Sequence, residues 1–224
     1  MKITWLGHSG FIWEAEGTRI LIDPFLEGNP KAPCGVEGIP KIDMILVTHT
    51  HGDHGINEAI QIAKRDNATI VGMHEVTLKA QDAGVSQSVG GNIGGTVIVH
   101  NVPVTFVQAF HSGTANPCGF VASFGNEVLY HTGDTGLFGD MALIADLYHP
   151  TIFFCPIGSV YTMDAKQAVR AIEFVQPKVV IPMHFGTFPV LDDATKFLGL
   201  VGDQYRVELF RPGETKEIKG GAGK

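Results

Sequence analysis

The sequence predicts one layered α/β domain, with mixed β-sheets inside and helices outside. Three observations predict it. Residues 42–47 form a nearly unbroken apolar run, which fits a strand buried on both faces. Residues 56–65 and 164–175 repeat apolar side chains at helical spacing, the stripe of a helix packed on one side. The segments run β-rich, then βα, then β-rich again, then βαβαβ, with no linker composition between them.

The elements follow in order. Residues 3–6, 11–14 and 19–22 read as short strands, separated by the turns Gly7-His8-Ser9-Gly10 and Glu16-Gly17. Residues 27–41 are rich in Gly and Pro and read as an excursion loop. The buried strand 42–47 leads through a polar loop, 48–54, into helix 56–65, whose Ile56, Ala59, Ile60 and Ala63 share one face. A strand at 68–73 and a short helix at 75–83 follow. Residues 90–95 read as a loop entering a strand, because they lack the Lys-Ser/Thr and the helix of a phosphate cradle. Strands are expected at 97–99, 104–110, 119–124 and 127–130, the last two joined by a hairpin turn at Gly125-Asn126. The rest alternates: helix 140–148, strand 151–155, helix 164–175 with Asp164 as N-cap, strand 179–182, helix 192–201, strand 205–210. The domain is expected to span 1–218, and 219–224 to be a disordered tail.

Composition narrows the class. The chain has 224 residues, 44% of them hydrophobic and 17% charged, with net charge -7. That length suits one domain able to bury a core without staples. Its 28 glycines exceed the usual share of about 7%, while charged residues are scarce, as expected of buried strands joined by tight loops. The negative charge argues against nucleic acid as a partner. No apolar run approaches a membrane span of about 18 residues, so no membrane partner is expected. The start of the chain is interrupted by polar residues too early for a secretory leader. Cys34, Cys118 and Cys155 are odd in number and far apart, which fits a reducing cytosol and a cytoplasmic location.

The chemistry concentrates in Thr48-His49-Thr50-His51-Gly52-Asp53-His54, directly after the buried strand. A shuffled chain of this composition would carry H-x-H-x-D-H roughly once in a thousand. His49 and His51 are two apart, so an extended segment points both imidazoles the same way. Gly52 permits the turn that follows, and Asp53 and His54 can then face a second, adjacent site. Capping by Asp53 alone would not call for three histidines. Further donors stand at expected strand ends: His111, Asp134 and His184. His49, His51 and His111 can hold one metal; Asp53, His54 and His184 can hold another, with Asp134 bridging. Two divalent ions are expected, Zn2+ best suited and Mn2+ or Fe2+ as alternatives. Asp53 is also the catalytic candidate, orienting the attacking water or taking its proton. No Ser or Cys lies in a nucleophile elbow, so covalent catalysis is not expected.

This order of motifs resembles the metallo-β-lactamase superfamily across about residues 1–218. Gly7-His8-Ser9, Leu21-Ile22-Asp23-Pro24-Phe25, Gly133-Asp134-Thr135 and Pro182-Met183-His184 narrow it. They are similar to small metal-dependent hydrolases of the ascorbate-phosphate lactonase branch. The resemblance implies a four-layer αββα sandwich with the metals at one edge, between the sheets. It also implies a metal-activated hydroxide that cleaves a small ester, lactone or phosphorylated metabolite. Four further residues are candidates for supporting a ligand or contacting substrate: His8, Asp23, His131 and Thr187. His74, His100 and His149 match no motif. An RNA-processing nuclease of the same superfamily is the alternative reading, and needs a basic surface that this acidic chain lacks. An iron redox or sensing protein is a weaker one, since that branch has glutamate where this chain has His51. The expected partner is a small molecule, and self-association into a homo-oligomer is compatible with the sequence.

Overall fold

The apolar runs become two mixed sheets packed face to face. The computed structural model describes residues 1–113 and 115–220. The first sheet holds β1 (Lys2–Trp5), β2 (Phe11–Ala15), β3 (Thr18–Ile22), β4 (Met44–Val47), β5 (Thr69–Met73), β6 (Ser88–Gly91) and, from the far end of the chain, β13 (Thr215–Glu217). The second holds β7 (Thr96–Val99), β8 (Val102–Gln108), β9 (Cys118–Phe124), β10 (Glu127–His131), β11 (Ile152–Pro156) and β12 (Val179–Met183). Their spatial orders are β13-β1-β2-β3-β4-β5-β6 and β12-β11-β10-β9-β8-β7. Each sheet begins as antiparallel hairpins and continues as parallel strands; helices provide the crossovers, except between β3 and β4, where a long loop with one 3-10 turn does.

Helices α1 (Ile56–Asp66) and α2 (His74–Asp82) cover the first sheet. On the second lie α3 (Met141–Tyr148), α4 (Ala165–Val175) and α5 (Thr195–Val201). The layers are therefore αββα. Strand β11 shows why its sequence has no polar side. Ile152 and Phe154 enter the core between the sheets, while Phe153 and Cys155 enter the core beneath the helices. Phe154 packs on Trp13 and Phe11 of the opposite sheet, with ring centroids 5.1 and 4.9 Å apart. Asp164 caps α4 as expected, accepting from the Gln167 N–H at 2.8 Å. Among the described residues, no helix is long and apolar enough to cross a membrane.

The structure departs from the sequence reading in a few places. No strand forms at 205–210. Only Val207 pairs, with Val180, in a single bridge. This segment is the crossing from the edge of the second sheet to β13 in the first, and Lys216 of β13 ties it down through Glu208 and the Leu209 carbonyl. Strands β6 and β13 were not expected, because Ser88-Val89-Gly90-Gly91 and Thr215-Lys216-Glu217 carry no apolar alternation. Strand β8 stops at Gln108, so His111 lies in the loop beyond it rather than at its end. Lys219 and Gly220, expected in the tail, are held: Arg206 donates to the Lys219 carbonyl and Gly220 N–H donates to Glu127. Residues 221–224 lie outside the described residues.

The loops after β4, β8, β10 and β12 and the β1–β2 turn are cross-linked by backbone hydrogen bonds. His184 N–H donates to the His8 carbonyl, Cys118 N–H to Thr48, and Gly136 N–H to Phe110. All the ligand candidates stand on these loops. Two substitutions separate the core from local capping. Phe154→Ala is expected to lower unfolding free energy by about 3–5 kcal/mol, and Asp164→Ala by only about 1 kcal/mol. Urea denaturation of both variants measures the difference.

Candidate metal centre

The extended chain leaving β4 sends His49 and His51 to the same side, as their spacing predicts. His49 Nε2 lies 3.1 Å from His51 Nδ1, and His111 Nε2 lies 3.3 Å from the same atom. Burial lowers the His49 pKa to about 2 and lowers that of His111 as well, so both rings offer lone pairs at neutral pH. These three nitrogens form one potential metal cradle.

A turn of 3-10 helix (Gly52–His54) then redirects the chain. The sequence reading gave the tight turn to Gly52. The residue that needs glycine is instead Gly55, which has φ +65° and on which a Cβ would run into the Pro24 carbonyl. The turn brings His54 beside Asp134 and His184. His54 Nε2 lies 3.3 Å from Asp134 Oδ1, His184 Nε2 lies 3.0 Å from Asp134 Oδ2, and His111 Nε2 lies 3.8 Å from that same oxygen. Asp134 thus stands between the two groups. It is carried there by Gly133, whose φ is +61° and on which a Cβ would lie 2.5 Å from the Cys118 carbonyl. Asp53, His54 and His184 share the second group with an unexpected member, His8.

The four supporting candidates fall around this core in different ways. Asp23 lies behind His54, its Oδ2 2.7 Å from Nδ1, and it accepts from the Thr48 N–H at 2.9 Å and the Thr48 hydroxyl at 2.7 Å. Thr187 lies behind His8, 3.0 Å from its Nδ1. His131 contacts no ligand. Its Nδ1 accepts from the Gly133 N–H at 3.1 Å, so its Nε2 donates to the Ser9 carbonyl, also at 3.1 Å. It fastens the Asp134 loop to the His8 turn across the two sheets. The sequence reading missed Thr48, whose hydroxyl is pinned by Asp23. It also placed His8 only behind the ligands or against substrate. The glycines on both sides of His8-Ser9 were the available signal.

The backbone is strained here. His8 (φ 54°), Asp23 (φ 43°) and His184 (φ 55°) all occupy the left-handed region without being glycine or asparagine. Each such residue costs on the order of 1–3 kcal/mol and persists only where its surroundings over-determine it.

Ring nitrogens and carboxylate oxygens crowd together here with few well-aligned hydrogen bonds between them. Among the described residues, His8 Nε2, His54 Nε2, Asp134 Oδ1 and both ring nitrogens of His184 are buried with no hydrogen-bond partner. Buried polar atoms left unpaired in this way cost several kcal/mol, and a cation among them would offset that cost. Imidazoles with two carboxylates are the donor set of a divalent transition metal, so the residues fit the expected ions.

With that geometry in view, residues 2–184 match the beta-lactamase superfamily domain, and the chain belongs to that superfamily and, within it, to the UPF0173 metal-dependent hydrolases. It is 44% identical over 231 residues to such a hydrolase of Methanopyrus kandleri, covering 97% of this chain and 100% of that protein. The relative from Archaeoglobus fulgidus is also 44% identical, covering 97% of this chain and 99% of its own. Igni18, a metallo hydrolase of Ignicoccus hospitalis, superposes with TM-score 0.89 at 36% identity, covering 97% of this chain and 99% of that one. An isothiocyanate hydrolase from Delia radicum gut bacteria shares the fold, with TM-score 0.81 at 17% identity over 98% of this chain and 100% of that one.

Metal affinity should depend on pH in a defined direction. Burial opposes charge on His54, but Asp134 and Asp23 outweigh it and raise its pKa well above the usual imidazole value. The metal-free ring therefore holds a proton on Nε2 at neutral pH, and a metal binding there must displace it. Affinity is expected to rise from about pH 6 to about pH 8, with proton release visible by calorimetry in buffers of different ionisation enthalpy. Replacing the carboxylate behind His54, Asp23→Asn, is expected to weaken metal binding about 10–100-fold in chelator competition.

Proposed function

We propose that this metal-dependent hydrolase works with two divalent ions and cleaves a small ester, lactone or phosphorylated metabolite. The observation that carries this reading is the carboxylate of Asp134, buried between two groups of ring nitrogens, one from His49, His51 and His111, the other including His54 and His184. When bound, the two ions would supply a water acidic enough to be hydroxide near neutral pH and a Lewis acid for the developing oxyanion.

The chain's own residues divide the remaining work. Asp134 is 2% exposed and Asp53 has 30% of its side chain exposed. Asp53 is therefore the carboxylate that both the site and solvent can reach, suited to orient the attacking water and take its proton. Asp23 and Thr187 hold the rings of His54 and His8 from behind. Phe110 beside His111 is 60% exposed, and Phe188 packs edge-on to His8 with centroids 5.8 Å apart. Those rings give the mouth apolar surface for the carbon skeleton of a small molecule. Cys118 and Cys155 are fully buried and burial raises both thiol pKa values, so neither supplies a nucleophile.

Elemental analysis should find two ions per chain. A screen of lactones, carboxylic esters and phosphodiesters with Zn2+, Mn2+ and Fe2+ should find hydrolysis that chelators abolish. His51→Ala and Asp134→Ala should then reduce it to background. Retention of full activity by both variants, or by metal-stripped protein, would sink the proposal.

A further inference from the structure

Four histidines are completely buried, His8, His49, His54 and His131, and His8 and His131, both tied to the β1–β2 turn, differ in one respect. His131 has both ring nitrogens satisfied, by the Gly133 N–H and the Ser9 carbonyl. His8 has only one. Its Nδ1 lies 3.0 Å from the Thr187 hydroxyl, which itself donates to the Phe185 carbonyl at 3.5 Å. Of the two His8 tautomers, the one with the proton on Nδ1 pairs that nitrogen with Thr187 while the hydroxyl proton goes to Phe185, so it satisfies the most groups. Nε2 is left as a bare lone pair. It is buried, has no hydrogen-bond partner among the described residues, and lies 3.3 Å from Asp53 Oδ2. A lone pair and a carboxylate oxygen that close repel unless a cation joins them.

We propose, resting on the dinuclear reading above, that His8 is itself a ligand of the second metal ion, a fifth protein donor beside Asp53, His54, His184 and the bridging Asp134. A ring nitrogen of His8 belongs to one group with ligand atoms of Asp53, His54 and His184, all within 4.8 Å of one another, and Nε2 is the nitrogen facing Asp53. Its ring centroid is 4.0 Å from that of His184. The backbone is arranged to hold it there. The His8 carbonyl accepts from Trp5 Nε1 at 3.0 Å and from His184 N–H at 3.1 Å, which fixes the left-handed turn and ties it to another ligand. An acceptor behind the non-ligating nitrogen is the usual way to set the tautomer and aim of a metal-binding imidazole, and the Thr187 hydroxyl stands in that place. A role in contacting substrate would need a nitrogen open to the pocket, and the His8 side chain is 0% exposed. Three imidazoles and two carboxylates make the second site richer in donors than the first. That set suits ions taking five or six ligands, such as Mn2+ or Fe2+, better than tetrahedral Zn2+.

The test is Mn2+ binding to the full chain, followed by electron paramagnetic resonance of the unbound ion. The wild type, His8→Asn and Thr187→Val are compared, asparagine being chosen because it tolerates the left-handed backbone. Both variants are expected to bind one Mn2+ as the wild type does and the other at least about tenfold more weakly. Far-ultraviolet circular dichroism checks folding; if His8→Asn does not fold, Thr187→Val carries the comparison, since it removes only the orienting oxygen. Two unchanged binding constants in a folded variant would overturn the ligand role while leaving the dinuclear reading intact. A wild type that binds no ion, or only one, would overturn the dinuclear reading, and the ligand role with it.

Discussion

The carboxylate of Asp134 imposes the constraint on which the rest of the site depends. It is buried, and its neighbours on two sides are imidazole nitrogens rather than a lysine or arginine. A buried carboxylate without compensation would neutralise or unfold its surroundings. Burial does oppose its charge, but His184 and His54 hold it ionised in the metal-free chain. Compensation by a protonated histidine and compensation by a divalent ion are alternatives for one space, so metal binding, proton release and stability are linked there.

The two sheets serve that constraint. Each turns from antiparallel to parallel pairing, and the loops of both meet at one edge. No single sheet could supply the donors. His8, His49, His51, Asp53 and His54 come from loops of the first sheet, and His111, Asp134 and His184 from loops of the second. The large apolar contact between the sheets, with Phe154 against Trp13 and Phe11, holds the two half-sites in register. His131 adds a polar tie at the same level, linking the Gly133 amide to the Ser9 carbonyl. The strained backbones of His8, Asp23 and His184 fit this picture. A compact core can keep three residues in unfavourable conformations when their side chains are needed in one small volume.

Much of the site and several elements were legible in neighbouring residues. The spacing of His49, His51, Asp53 and His54 after a buried strand announced a metal site, because alternate residues of an extended chain share a face. Apolar runs without polar alternation announced strands covered on both sides. Asp164, three residues before the Gln167 amide it accepts from, announced the start of α4. Such features are local, and local chemistry is written in neighbouring residues. The long-range contacts came from packing alone. Nothing near His8 in the chain shows that its Nδ1 meets Thr187, 179 residues away, or that its other nitrogen faces Asp53. Asp23 was a candidate for supporting a ligand, but that the ligand is His54, and that Thr48 closes on it too, shows only in the fold. Segment 205–210 alternated like a strand, yet its path was set by having to cross between sheets, and β13 formed because β1 had an open edge rather than through its own pattern. Ligand types and the motif's spacing are carried by composition and period. The proton's position on a ring, and therefore which nitrogen can meet a metal, is fixed by partners that only folding brings together.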